Sequence, residues 1–382
     1  MNTDAPAPME RWNTLPWKHL QRNVFKLQTR IYRAACRGDV TTVRMLQRLL
    51  MHSWSAKLLA VRKVTQDNQG KKTPGVDGVQ SLTPPQRLTL ARTLTRDGMA
   101  APVRRVWLPK PSTPELRPLG IPTLHDRAGQ ALVKSALEPE WEARFAPHSY
   151  GFRPGRSCQD AIEAIFTAIG HKAKYVLDAD IEKCFDRIDQ TARLTKVHTS
   201  PSLHRQLQAW LKAGVLDQGT LFPTDTGSMQ GGNLSPLLAC SALHGLEAHI
   251  GKTFPRSGSR RFQTPNVVVY ADDLVILHED RTVVERCQAV VSEWLREMGL
   301  ALKPSKTRIT HTLDVAEGTP GFDFLGFQIR QYPGGKLSRA KIAEDVCTAS
   351  KRASPPAQQR CNGMSRSCER RSTAIDTRSK RR

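Results

Sequence analysis

Apolar residues along this chain recur with two different periods, and the switch between them marks out its elements. From Trp17 to Arg37, Leu20, Val24, Leu27, Ile31, Ala34 and Ala35 fall on one side of a helix, which predicts an amphipathic α-helix. A second helix is predicted roughly over Val40–Val64. Val43, Leu46, Leu49, Leu50, Leu58, Leu59 and Val61 form its apolar face, and Arg44, Arg48, Lys57, Arg62 and Lys63 its basic one. Further helices are predicted over Gln130–Phe145, Asp160–Ile169, Arg205–Ala213, Leu237–Ile250 and Val283–Met298. Val106–Pro111 and Leu116–Pro122 read as two short strands joined by a proline-rich turn. The β-branched runs Val267–Val269 and Leu274–Leu277 read as buried strands, with Tyr270–Asp273 at the turn between them. In Tyr175–Asp186 the period is two. Leu177, Ala179 and Ile181 share a packed face, while Asp178, Asp180 and Glu182 share an acidic one.

Composition narrows the class. The chain has 382 residues and 39% hydrophobic content, enough for a sizeable core in one or two domains. Lys plus Arg is 58 against 35 for Asp plus Glu, a net charge of +23. That imbalance favours a polyanionic partner, because each phosphate contact releases counterions. Acidic lipid is the other candidate, but no long apolar span argues for a membrane protein. Met1–Arg11 carries no apolar signal-peptide core, and Met1–Pro16 reads as a loose terminus. The eight cysteines are scattered singly, so free thiols and a cytoplasmic location are expected. Gly70–Gly78 is glycine-rich without the order of a phosphate-binding P-loop. Ser350–Arg382 is rich in Arg, Ser and Cys with no helical period, and disorder is expected there.

The chemistry concentrates at the acidic segments. A turn lifts Asp272 and Asp273 to the end of a sheet, where both carboxylates can face one point. Two such charges raise each other's pKa unless a cation sits between them, and Mg²⁺ favours oxygen ligands of this kind. A hairpin turn also uses Asp for its geometry alone, so this stretch by itself leaves both readings open. Asp180, at the end of the second acidic segment, changes the balance. An acidic strand end beside an Asp-Asp hairpin is the donor set of a two-metal phosphoryl-transfer site. Together with the basic charge it points to a nucleic-acid polymerase.

At these residues the sequence resembles a known family. Tyr270-Ala271-Asp272-Asp273 is similar to the YADD box of reverse transcriptases, and Asp180–Phe185 to their first catalytic motif. The likeness is to group II intron-encoded reverse transcriptases (intron maturases). It runs in ordered blocks from about Leu27 to about Arg330. Lys72–Gly78, Ser149–Ser157, Gly227–Leu238, Gly299–Thr307 and Phe322–Phe327 all take part. The resemblance implies an α+β right-hand polymerase fold. Residues 1–80 would be an N-terminal helical extension that helps grip template RNA, 81–173 the fingers and 174–330 a palm with a small antiparallel sheet. It implies RNA-directed DNA synthesis with an associated intron RNA binding (maturase) role, on a group II intron RNA template, a DNA primer and dNTPs. Asp180, Asp272 and Asp273, helped by the backbone carbonyl of Ile181, would hold two Mg²⁺ ions. Lys110 and Arg117 would hold the triphosphate. Phe185 would exclude a ribose 2′-hydroxyl, and Gln230 would contact the incoming nucleotide. Arg153 and Arg156 would meet nucleic-acid phosphates, and Lys306 would contact the nucleic acid or protonate pyrophosphate. Two positions depart from the family pattern: Met229 stands where proline is usual and Cys240 where asparagine is usual. Past about Arg330 the pattern stops. The helical thumb (domain X) is expected to be missing, with 331–382 a basic, disordered tail. The alternative expectation is a truncated, catalytically weak or inactive maturase that acts only as an RNA-binding protein.

Overall fold

The computed structural model describes residues 12–95, 97–109, 116–170, 172–227, 231–254, 264–314 and 319–332, and the backbone of 339–343. It begins with a 3-10 turn (Trp12–Thr14) whose buried Trp12 donates to Gln66 Oε1 at 2.9 Å, so the expected loose terminus is corrected from Trp12 onward. The chain then enters the helix α1 (Trp17–Cys36), which buries Leu20, Val24, Ile31 and Ala34 as its spacing predicts. The single helix expected over Val40–Val64 is two, α2 (Val40–His52) and α3 (Trp54–Arg62). The Asp39 carboxylate caps α2 by accepting from the Thr42 N–H, and Ser53 ends it by turning extended at ψ 126°. Thr83 and Gln86 form a capping box that starts α4 (Pro84–Thr93).

Strands β1 (Val103–Pro109) and β2 (Leu116–Ile121) form the expected hairpin. The long helix α5 (Leu124–Arg144) follows, then α6 (Cys158–Ile169), strand β3 (Tyr175–Asp180) and the short α7 (Cys184–Arg187). Helices α8 (Gln190–Val197) and α9 (Pro201–Lys212) lead to β4 (Val215–Asp217) and β5 (Thr220–Phe222). The periodicity passed over these two strands. Yet β4 pairs in parallel with β1, which makes one four-stranded sheet in the order β2-β1-β4-β5. The helix expected over Leu237–Ile250 is α10 (Ser235–Leu243) and α11 (Leu246–Thr253), broken where Gly245 takes φ +100°.

The central sheet has the order β6-β7-β3-β8, from β6 (Asn266–Tyr270), β7 (Asp273–His278), β3 and β8 (Arg308–His311). Helix α12 (Arg281–Arg296) lies between β7 and β8 in sequence and packs on β3 and β7. Leu177, Ala179, Val267, Val269, Leu274 and Ile276 face the core shared with α10, α11 and α12. Val176, Val268, Val275 and Leu277 face the opposite core with α6. The acidic positions of β3 and of the residues just after it are neutralised by basic partners. Asp178 pairs with Arg308, at 3.0 Å, and Glu182 with Arg187. A last sheet, β9 (Phe322–Phe324), β10 (Phe327–Tyr332) and β11 (Arg339–Ala343), turns through Leu325 and Gly326, both at positive φ. Gln331 is buried, donates to the Ile169 carbonyl at 2.7 Å and fastens this sheet to Thr312. A structureless tail starting at residue 331 is thus corrected: Gln331 and Tyr332 complete β10, and β11 pairs with it. Residues 344–382 lie outside the described residues.

Two groups of contacts fasten these layers together, one centred on α5 and one on the edge of the central sheet. In α5, Arg127 donates to the carbonyls of Gly70 (3.1 Å) and Thr73 (2.8 Å), clamping the glycine-rich loop. Beside it Asp126 accepts from Trp210 Nε1, Ala101 N and Thr123 Oγ1, tying α9 and the start of the fingers to the same turn. In the palm, the bend before α6 joins the edge of the central sheet, where Tyr150 N donates to the Val269 carbonyl and Val269 N to that of His148. Gly151 then presses on the β6–β7 turn so closely that a Cβ there would sit 2.3 Å from Ala271 N.

These contacts set two expectations. Arg127→Ala strands two carbonyls and frees the Gly70–Gly78 loop. A local cost of about 2–3 kcal/mol is expected, read as faster tryptic cleavage after Lys71 and Lys72. Gly151→Ala drives a methyl into backbone and is expected to cost about 3 kcal/mol or more. Gly155→Ala, with nothing within 4 Å but φ +70°, should cost only about 1 kcal/mol. Urea midpoints of the two variants, measured side by side, check this.

Candidate active site

The β6–β7 hairpin pairs Tyr270 with Asp273, so Ala271 and Asp272 alone make its loop. Ala271 is held at φ +57°, a left-handed conformation that a residue with a side chain adopts at a cost. Gly151 from one side and Ile181 N–H, which donates to the Asp272 carbonyl at 3.0 Å, over-determine that shape. Strand β3 arrives antiparallel to β7 in a register that sets Asp180 opposite Asp273. Lys303 N donates to the Asp180 carbonyl and Glu182 N to that of Ala301, which fixes the chain on both sides of the Ile181 position. The three predicted carboxylates thus meet at one end of one sheet.

Their electrostatics follow from that crowding. Burial, then repulsion from Asp272 and Asp180, pushes the Asp273 carboxyl up to about 7. Burial also raises Asp272, with Asp180 adding to the shift and the Lys306 and Arg117 cations opposing it. Burial raises Asp178 against the pull of Arg308. Arg117, exposed on β2, is therefore near enough for its charge to reach the cluster. Lys306 Nζ lies 3.2 Å from Asp180 Oδ2. In this arrangement the lysine, its side chain 57% exposed, is counter-ion to a carboxylate of the site. Among the described residues no three acidic, histidine or cysteine side chains close on one point as a finished metal cage. The donor chemistry fits a hard divalent cation all the same. Half-buried carboxylates repelling one another, one already drawing an ammonium to itself, are what such an ion would relieve.

The walls come from three further segments. Phe185 stands on α7, half-buried, and its ring meets Phe152 edge-on at 6.0 Å and 80°. Gly227 packs against the carbonyls of Phe185 and Asp186, where a Cβ would come within 2.5–2.7 Å. Gly231 packs equally tightly on the Gly120 carbonyl of β2. Lys110, Met229 and Gln230 lie outside the described residues. Arg153 is a correction. Instead of facing phosphate it is buried, pairs with Glu142 at 2.9 Å and donates to the carbonyls of Ala146 and Ser149. A guanidinium whose donors are spent inside the protein cannot also serve a ligand. Arg156 is exposed and covers the Tyr150 ring. It lines a cavity of about 690 Å³ that it shares with Lys174 and with His278, at the end of β7 opposite Asp273. Cys240, at the position unusual for the family, is buried and donates to the Gly151 carbonyl at 3.2 Å, behind the turn. The sequence carried no sign of the Phe152–Phe185 contact, and the Asp178–Arg308 pair is visible only once β8 is known to lie against β3.

Comparison with known proteins agrees with this architecture. Residues 108–329 match the family described as reverse transcriptase (RNA-dependent DNA polymerase), and residues 12–94 match the N-terminal domain of reverse transcriptase. The protein YkfC of Escherichia coli is 30% identical over 337 residues, covering 78% of this chain and 85% of its own length. The group II intron-encoded protein LtrA of Lactococcus lactis is 32% identical over 240 residues, covering 61% of this chain. The maturase-like protein 1 of Euglena gracilis is 34% identical over 145 residues, 36% of this chain and 30% of its own. The chain spans only 37% of the length of LtrA. No helix among the described residues is long and apolar enough to cross a membrane. With a family described as reverse transcriptase matched over more than half of this chain, the chain belongs to the reverse transcriptases.

Proposed function

We propose that this chain copies RNA into DNA from a primer by two-metal nucleotidyl transfer, and that it binds group II intron RNA in a maturase role. The observation that carries the reading is the register of β3 on β7, which gathers Asp180, Asp272 and Asp273 at one half-buried sheet end. Asp180, Asp272 and Asp273, with the Ile181 carbonyl, would hold two Mg²⁺ ions. When bound, the ions would activate the primer 3′ oxygen and steady the leaving pyrophosphate.

The remaining groups have physical work of their own. Lys306 balances the charge of Asp180 and must turn aside for an ion to take its place. Arg117, whose charge already acts on Asp272, holds triphosphate oxygens together with Lys110. Arg suits the fork geometry of phosphate, and Lys supplies a point charge. Phe185 presents a rigid ring to the sugar, Gln230 contacts the nucleotide, and Gly227 and Gly231 let backbone come close to the pocket. Arg156 is exposed and free to meet nucleic-acid phosphate, whereas Arg153 holds the loop together from within. The net charge of +23 supports a nucleic-acid partner for the surface as a whole.

The direct test is incorporation of labelled dTTP on oligo(dT)-primed poly(rA) with Mg²⁺. Asp272→Ala and Asp180→Asn are each expected to lower the rate at least about a thousandfold, the several kcal/mol that a lost metal site costs. A soluble, folded wild-type chain that incorporates nothing would leave RNA binding as its function. Arg117→Ala is expected to raise KM for dTTP about tenfold with a smaller fall in kcat, as loss of a ground-state phosphate contact should. Initial rates across a dTTP series decide it.

A further inference from the structure

We propose that Phe152 is a positioning residue of the nucleotide pocket: its ring holds the Phe185 ring in place, so that rejection of a ribose 2′-hydroxyl depends on both aromatics. The proposal rests on the reading of Phe185 as the wall against that hydroxyl.

Phe152 is an anomaly by two criteria. It is a large apolar side chain left 49% exposed, so core packing does not account for it. It also adopts φ +58°, a left-handed backbone that an aromatic residue avoids. Strain of this kind persists only where neighbours over-determine it, and it gathers at functional sites. The neighbours here are plain. Gly151, one residue before, is wedged on Ala271 of the aspartate turn with no room for a Cβ. Arg153, one residue after, is locked by Glu142 and by the carbonyls of Ala146 and Ser149. Phe152 is thus pinned between two immobile residues on a loop built onto the edge of the palm sheet. What its ring meets is the edge or face of Phe185, at 6.0 Å and 80°.

Phe185 needs such a support. It sits on a helix of four residues that starts from Lys183 at φ +45°, and it is itself only half-buried. Its backbone is fixed from behind by Gly227, but a ring excludes a hydroxyl only if it cannot rotate away. An edge-to-face aromatic contact opposes that rotation. The buried Arg153 ion pair then gains a purpose: it keeps the strained residue beside it from relaxing.

The test measures kcat/KM for dTTP and for UTP opposite rA, on one oligo(dT)-primed poly(rA) substrate, with wild type, Phe152→Gly, Phe152→Tyr, Phe185→Gly and the double glycine variant. Glycine adopts φ +58° freely, so Phe152→Gly should melt no earlier than wild type. Its dTTP/UTP preference should fall several-fold, up to about tenfold, through improved use of UTP. Phe152→Tyr keeps the ring and should keep the preference. The double variant should be no less selective than Phe185→Gly alone, because the two rings act as one unit. If Phe152→Gly keeps the wild-type preference while Phe185→Gly loses it, the support is refuted and the role of Phe185 stands. If Phe185→Gly also keeps the preference, the role of Phe185 and the proposal fall together. A Phe152→Gly protein that melts early would assign the ring to packing and refute the proposal as well. Absence of dTTP incorporation by wild type would remove the polymerase reading beneath it.

Discussion

Asp180 and Asp273 face each other across β3 and β7, with Asp272 in the adjoining loop, so three like charges share one end of a sheet whose two faces are dry. That arrangement is unfavourable by itself, since burial and repulsion from the neighbouring carboxylates both act against ionisation of Asp272 and Asp273. It is held by backbone rather than by side chains. Ile181 N–H donates to the Asp272 carbonyl, Lys303 N–H to that of Asp180, and Gly151 presses on Ala271. None of these depends on the charge state of the carboxylates. Lys306 offsets part of the repulsion from outside the sheet.

The same economy appears in α5. This helix carries buried charges that serve as fastenings between layers: Asp126 to α9 and the fingers, Arg127 to the glycine-rich loop, and Glu140 to Arg44 of α2 at 2.7 Å. Glu140 is paired, Asp126 accepts from three donors and Arg127 donates to two carbonyls, which offsets their burial, although Arg127 Nε is left buried without a partner among the described residues. Helix α5 thereby relates the N-terminal helices, the fingers hairpin and the palm to one another. The hairpin that carries Arg117 is fastened at its base to this helix through Ala101 N and Thr123 Oγ1, both donating to Asp126.

Charge counted along a sequence is a poor guide to which cations meet a ligand. Arg153 and Arg156 stand three residues apart in one glycine-rich bend and looked equivalent. One is consumed by Glu142 and two carbonyls, and the other lies open on the surface. The difference is set by Glu142, on the preceding helix, which the local pattern of the bend does not contain.

Local regularities carried most of the architecture. The helical periods of α1, α5, α6, α9 and α12, the β1–β2 hairpin, and the alternation of β3 were all legible because each is set by residues close in sequence. The acidic triad was legible too, since residue type and turn chemistry are written in adjacent positions. Breaks at Ser53 and Gly245 were not, because a helical period continues through a break that a single dihedral angle makes. Strands β4 and β5 have three residues each and become a sheet only by pairing with a strand far upstream. The sequence by itself determined which side chains are available and which local elements present them. Only the tertiary structure decided that Asp180 faces Asp273, that Arg153 is spent inside, and that Phe152 meets Phe185. Register, burial and ring contact arise between segments far apart in the chain, and no period within one segment can encode them.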